Sequence, residues 1–216
     1  VDHMRINRGE SSKLTLSISE EAKKKIVQVS NNTAVAKGVV MAWALSIILD
    51  NLPSLEEFNS MEKRINLDKK RTSITLNPKT INRCKRATLN YGNRSMLNLF
   101  SYLISNFFEE MPSDHVLLQD YDYDKVNGRY YISSDLYNKM DQLNKTHFTK
   151  ISLYVSLAVL SELDDIGAPL DSTDKQVTYI PLPKFIKVRI EEYATQNLMS
   201  QTDVVNTCLH KYLKNL

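Results

Sequence analysis

At 216 residues, with 42% hydrophobic and 25% charged side chains, the chain has the composition of a soluble globular protein with room for one large or two ordinary domains. No apolar run reaches the roughly 20 residues that a membrane span needs, so no membrane association and a cytoplasmic location are expected. The net charge of +3 is unevenly spread: residues 1–111 hold 17 Lys+Arg and 11 Asp+Glu (+6), residues 112–216 hold 11 and 14 (−3), so only the first half has the sign of a nucleic-acid surface.

In chain order, Val1-Asp2-His3-Met4 resembles the remnant of a cloning site ahead of a start at Met4 and is set aside. Lys13 to Ser19 alternates apolar Leu14, Leu16 and Ile18 with Lys13, Thr15 and Ser17, the period of a strand with one wet face. Ser19 followed by Glu20-Glu21 predicts a helix cap with carboxylates opposing the macrodipole, and an amphipathic helix over 20–30. Asn31-Asn32-Thr33 predicts a break, with Thr33 capping a second, mostly apolar helix from Ala34 to about Asn51. Pro53 closes it, and residues 54–70 are a polar connection with a helical piece at Leu55-Glu56-Glu57-Phe58.

The same grammar then returns. A strand over 72–76 leads through Asn77-Pro78 into helices over 78–89 and 94–111, separated by Asn90-Tyr91-Gly92. Pro112 to Lys125, with Asp120-Tyr121-Asp122-Tyr123-Asp124 at its centre, reads as a solvated linker. A third unit has its strand around Asn127–Ser133, helices over 135–143 and 150–163, and Thr149 as the second cap. A fourth has its strand around Val177–Pro183, helices over 184–195 and 201–216, and Ser200 with Asp203 at capping-box spacing. Taking Leu16, Ile74, Tyr130 and Ile180 as equivalent inward positions, the steps are 58, 56 and 50 residues, which is an internal repeat. Cys84 and Cys208 fall on apolar helical stripes and read as core, and the four histidines have no ligand spacing, so no metal is expected. With five glycines, no Gly-rich phosphate loop and no nucleophile–base constellation, neither catalysis nor a cofactor is expected.

A strand of six residues needs a partner for its ladder and a cover for its apolar face. Two strand–helix–helix units meet both needs if their strands pair antiparallel above four helices. This order, with Lys13 or Arg71 opening an alternating strand and Gly92-Asn93-Arg94-Ser95 as a turn before the second helix, resembles the ribbon-helix-helix (MetJ/Arc-type) DNA-binding family. The resemblance covers roughly 170 of the 216 residues and is architectural. It implies a mainly α fold with short β-ribbons, as tandem ribbon-helix-helix pseudo-dimers: module 1 over 5–111 (units 13–52 and 71–111), a linker over 112–125, and a divergent module 2 over 126–216 (units 126–166 and 175–216).

It further implies that the outward side chains of the first ribbon, Lys13, Thr15, Ser17, Arg71, Ser73 and Thr75, read bases in the major groove. Thr33 with Ala34, and Asn93, Arg94 and Ser95, at the starts of the second helices, would anchor phosphates. In module 2 the corresponding outward residues are Asn127, Arg129 and Tyr131 beside Val177, Tyr179 and Pro181. With the net −3 of that half, they imply association with another chain or a protein partner in place of base reading. Three functions follow as expectations. The first is sequence-specific double-stranded DNA binding in transcriptional repression. The second is an accessory DNA-binding role in plasmid transfer (at a relaxosome) or partition, and the third a protein-interaction module without DNA.

Overall fold

The computed structural model of the protein describes residues 9–170 and 173–216. Val1–Met4, residues 5–8 of the first expected module and residues 171–172 lie outside them.

Thirteen elements carry the described fold. They are β1 (Ser12–Ser19), α1 (Glu20–Thr33), α2 (Lys37–Asp50), α3 (Leu55–Arg64), β2 (Leu67–Leu76), α4 (Pro78–Thr88), α5 (Met96–Glu109), β3 (Lys125–Ser133), α6 (Ser134–His147), α7 (Ile151–Glu162), β4 (Lys175–Pro183), α8 (Lys184–Gln196) and α9 (Gln201–Lys214). The protein is mainly helical, with two short antiparallel sheets of two strands, β1–β2 and β3–β4. The chain forms two compact units. One comprises the described residues up to 26 with 37–111 and 143–149; the other comprises 27–36, 112–142 and the described part of 150–216. Each unit holds one sheet. No single helix among the described residues is long and apolar enough to cross a membrane.

The strands are short because each buries one face only. Leu16, Ile74, Tyr130 and Ile180, the four inward positions, are at most 1% exposed. In the first unit Leu14, Leu16, Ile74 and Leu76 turn toward the largely apolar helices α2 and α5. Apolar burial at about 25 cal/mol per Å² is what holds so small a ladder in place.

One turn geometry recurs four times. Ala34, Asn93, Phe148 and Leu198 all have φ of 54–56°, and each sits three residues before the first residue of a helix, at Lys37, Met96, Ile151 and Gln201. A left-handed non-glycine residue costs about 1–2 kcal/mol, so its return at one offset in four turns is a repeat in backbone geometry. Gly92, at φ 67°, gives the second turn a further left-handed residue just before Asn93.

The first of these turns is displaced from its expected place. α1 does not break at Asn31-Asn32-Thr33: it continues to Thr33, and α2 begins at Lys37 instead of Ala34. The cause is tertiary. Asn32 is fully buried and its Nδ2 donates to the carbonyls of Leu117 (3.0 Å) and Gln119 (2.8 Å), so the amide NH2 of a residue that would favour a turn in isolation finds its acceptors from within a helix. Thr33 Oγ1 donates back to the Val29 carbonyl at 2.6 Å, four residues earlier, and caps nothing. Thr149 likewise is not the α7 cap. Lys150 stands there without a side-chain bond, while Thr149 Oγ1 donates to Asn144 Oδ1 at 3.2 Å. Ser200 does cap α9, accepting from the Asp203 N–H at 3.0 Å. The helical piece expected after Pro53 is a full helix, α3, closed at its start by a capping box between Ser54 and Glu57.

The free edge of each first strand is held by polar side chains one helical turn apart. The Ser17 and Ser19 N–H groups donate to Ser101 Oγ (2.8 Å) and Ser105 Oγ (3.1 Å) of α5. In the second unit the Tyr131 N–H donates to Thr202 Oγ1 (3.3 Å) and the Ser133 N–H to Asn206 Oδ1 (2.8 Å) of α9. These bonds satisfy backbone donors that an open edge would leave bare.

Candidate nucleic-acid interface

The β1–β2 register pairs Lys13 with Thr75, Thr15 with Ser73 and Ser17 with Arg71. Residues directly opposite in an antiparallel ladder project from the same face, so all six expected base-reading residues lie on one side of one ribbon. The intervening pair, Leu14 with Ile74, is buried on the other side. Lys13, Arg71, Ser73 and Thr75 are exposed and Thr15 is partly exposed.

Ser17 departs from the expectation, with 8% of its surface accessible. The ladder is irregular beyond it: between the pairs Ser17–Arg71 and Ser19–Leu67 one residue of β1 stands against three of β2. Such a bulge re-aims side chains and increases local twist. The hydroxyl of Ser17 is withdrawn, while Lys69, Lys70 and Arg71 on the bulged strand are exposed. Lys69 and Lys70 were not among the expected site residues. The signal for them is the uninterrupted run Lys69-Lys70-Arg71, which a strand taken to begin at Thr72 leaves out.

Among the described residues no ion pair engages Lys13, Lys69, Lys70 or Arg71. The neighbouring acid, Asp68, is taken up by Lys23 of α1, whose ammonium also pairs with Glu20 at 3.0 Å. The bond from Lys23 holds the Asp68 carboxyl at about 2, below its ordinary 3.8. The ribbon's wet face therefore presents cations and hydroxyls, and Asp68, the acid next to its basic run, is already paired.

The expected phosphate anchors fall in different units, Thr33 and Ala34 in one and Asn93, Arg94 and Ser95 in the other. Thr33 is fully buried at the end of α1, and Ala34 is 8% exposed in a left-handed turn three residues ahead of α2, so neither offers a helix start to a ligand. Asn93 is an exposed left-handed residue, and Ser95 caps α5 by accepting from the Asn98 N–H at 3.1 Å. Arg94 is occupied. Its guanidinium donates to both Glu62 oxygens (3.0 and 2.8 Å), to Asn59 Oδ1 (2.9 Å) and to the Tyr91 carbonyl (2.6 Å), and lies 5.0 Å from the centre of the Phe58 ring. It latches α3 onto the turn before α5. Nothing in residues 90–95 signals this, because its side-chain partners, Phe58, Asn59 and Glu62, come from the connection at 54–70.

The second ribbon has the same register logic with different chemistry. Asn127 pairs with Pro181, Arg129 with Tyr179 and Tyr131 with Val177, again on one face. Tyr131 is 45%, Val177 44% and Tyr179 67% exposed, and the Arg129 guanidinium lies 5.7 Å and 5.9 Å from the centres of the two tyrosine rings. Around Arg129 this face is aromatic and apolar, with Lys125 exposed at the start of β3 on the same side. Among the described residues no group of three His, Cys, Asp or Glu side chains is placed to hold a metal ion. No protein-family model, no curated protein and no solved structure matches the chain.

Proposed function

We propose that the protein is a sequence-specific double-stranded DNA-binding protein built as two ribbon-helix-helix pseudo-dimers in tandem, which reads the major groove with the outer face of the β1–β2 ribbon. One observation carries this reading. Lys13, Thr15, Arg71, Ser73 and Thr75 fall on one solvent-facing side of a two-stranded ribbon, with no carboxylate among them. The major groove, about 12 Å wide, admits such a ribbon and shows each base pair as a distinct donor and acceptor pattern. Lys13 and Arg71 supply donors suited to guanine O6 and N7, and the hydroxyls of Thr15, Ser73 and Thr75 can donate or accept. A good bidentate contact discriminates by about 1–3 kcal/mol per base pair. Transcriptional repression is the outcome we assign to this binding.

The second ribbon supports a variant of the reading, an accessory factor in plasmid transfer or partition, because Tyr131, Val177 and Tyr179 expose apolar surface suited to a protein partner. The test is selection from a random duplex library, followed by the double variant Lys13→Ala, Arg71→Ala on the selected site. Loss of discrimination between selected and random duplex is expected. A double variant that binds the selected site as tightly as the parent refutes the reading. Selected sites that map to promoters favour repression, and sites clustered at an origin favour the accessory role.

A further inference from the structure

α4 follows β2 with only Asn77 between them, and it carries Lys79, Arg83, Lys85 and Arg86 without any acidic residue. Residues 79, 82, 83 and 86 stand at i, i+3, i+4 and i+7 and share one helix face. A shallow groove of about 710 Å³ runs along it, lined by Lys79, Asn82, Arg83, Lys85 and Arg86. Arg83 is spent on α2, where it pairs with Asp50 at 2.8 Å and donates to the Leu49 carbonyl at 3.2 Å. Lys79, Lys85 and Arg86 are exposed, and no ion pair engages them among the described residues.

α1 holds the matching place after β1, and there the cations are consumed. Lys23 pairs with Glu20 and Asp68. Lys25 pairs with Glu21 at 3.3 Å and donates to the carbonyls of Glu109 (2.7 Å) and Met111 (2.9 Å). Only Lys24 is left exposed and unpaired on that helix. The two flanks of the first ribbon therefore differ: one has three free cations, the other one.

We infer that the exposed basic face of α4, through Lys79, Lys85 and Arg86, grips the phosphodiester backbone of the DNA on the β2 side of the ribbon only, so that the bound duplex is held asymmetrically. This rests on the DNA-binding reading above. From Lys79 to Arg86 the helix rises about 10 Å, enough to meet successive phosphates spaced about 3.4 Å along the axis of each strand. Point charges of this kind add affinity and fix orientation without reading sequence.

The experiment compares the parent with Lys79→Ala, Lys85→Ala, Arg86→Ala on a selected duplex and on a random duplex, each over a range of salt. Alanine is the best helix former, so α4 is retained; circular dichroism verifies it, and a matching triple glutamine variant gives a second test. The slope of log K against log salt is expected to become shallower by about 2–3, at about 0.9 per phosphate contact. The change should be equal on both duplexes, leaving the preference for the selected site intact. Phosphate-ethylation interference on the parent should show one strong flank, which the triple variant loses, while Lys63→Ala, an exposed control on α3, changes neither. An unchanged slope, or equal interference on both flanks of the parent, overturns the inference and leaves base reading by the ribbon standing. A parent that binds no duplex at all refutes the ribbon reading, and the grip with it.

Discussion

Gly128 is the position where a single methyl group should do most harm. It lies in β3 opposite Ile180, and the ring of Tyr130 folds back over it. A Cβ there would stand 2.3 Å from Tyr130 Cε2 and 2.8 Å from Cζ and the hydroxyl oxygen, where contact between carbons is best at about 3.5–4.0 Å. The ring would have to retreat by more than about 1 Å, yet Tyr130 is 1% exposed and among the largest fully buried side chains. Overpacking of this kind costs about 1–3 kcal/mol, and the usual gain of about 0.5–1 kcal/mol on replacing a strand glycine by alanine offsets part of it. If the ring were expelled, losing about 150–250 Å² of burial at 25 cal/mol per Å² sets an upper limit of about 4–6 kcal/mol. For Gly128→Ala, urea unfolding followed by circular dichroism should show a net loss of about 1 kcal/mol. The sole tryptophan, Trp43, lies in the other unit and reports on that unit by its fluorescence. In a Tyr130→Leu background the alanine should cost nothing, because the ring it meets is gone. An unchanged transition for Gly128→Ala, or an equal cost in the leucine background, refutes the reasoning.

Arg94→Ala should lower the melting temperature and leave the salt dependence of duplex binding as it is, because this guanidinium serves Glu62, Asn59 and Tyr91. A parent-like melt with a salt slope shallower by about one would return Arg94 to the phosphate contacts. Ser101→Ala strands the buried Ser17 N–H and should cost about 1–3 kcal/mol in chemical unfolding, with Ser101→Thr recovering most of it if the methyl is accommodated. The Asp68 carboxyl titrates at about 2 when folded and at its ordinary 3.8 when unfolded. Its stabilising effect is thus present above 3.8 and is lost as pH falls through the folded value. Thermal melts taken through this range should show a smaller acid loss in Asp68→Asn than in the parent.

Much of the fold is legible along the chain because it is governed by local periodicity. Alternation at Leu14, Leu16 and Ile18 and again at Ile74 and Leu76 specifies strands with one covered face, and the mostly apolar stretches that became α2, α5 and α7 specify enclosed helices. The spacing of the repeat follows from the same signal. Helix ends are another matter. α1 runs through Asn32 and Thr33 because carbonyls at Leu117 and Gln119, far along the chain, accept from the Asn32 amide, and no local rule contains that information.

The candidate site divides along the same line. That Lys13, Thr15, Ser17, Arg71, Ser73 and Thr75 share a face follows from a period of two in each strand, once the strands are paired in the observed register. Which of them reach solvent does not follow. A bulge opposite Ile18 withdraws Ser17 and brings out Lys69 and Lys70, while ion pairs to Asp68 and Glu62 decide that Lys23 and Arg94 are spent and that Lys13 and Arg71 are free. Alternation and capping act between residues a few positions apart and are written in the order of the amino acids. The availability of a charge depends on partners brought near from distant segments, and only the folded chain settles who those partners are.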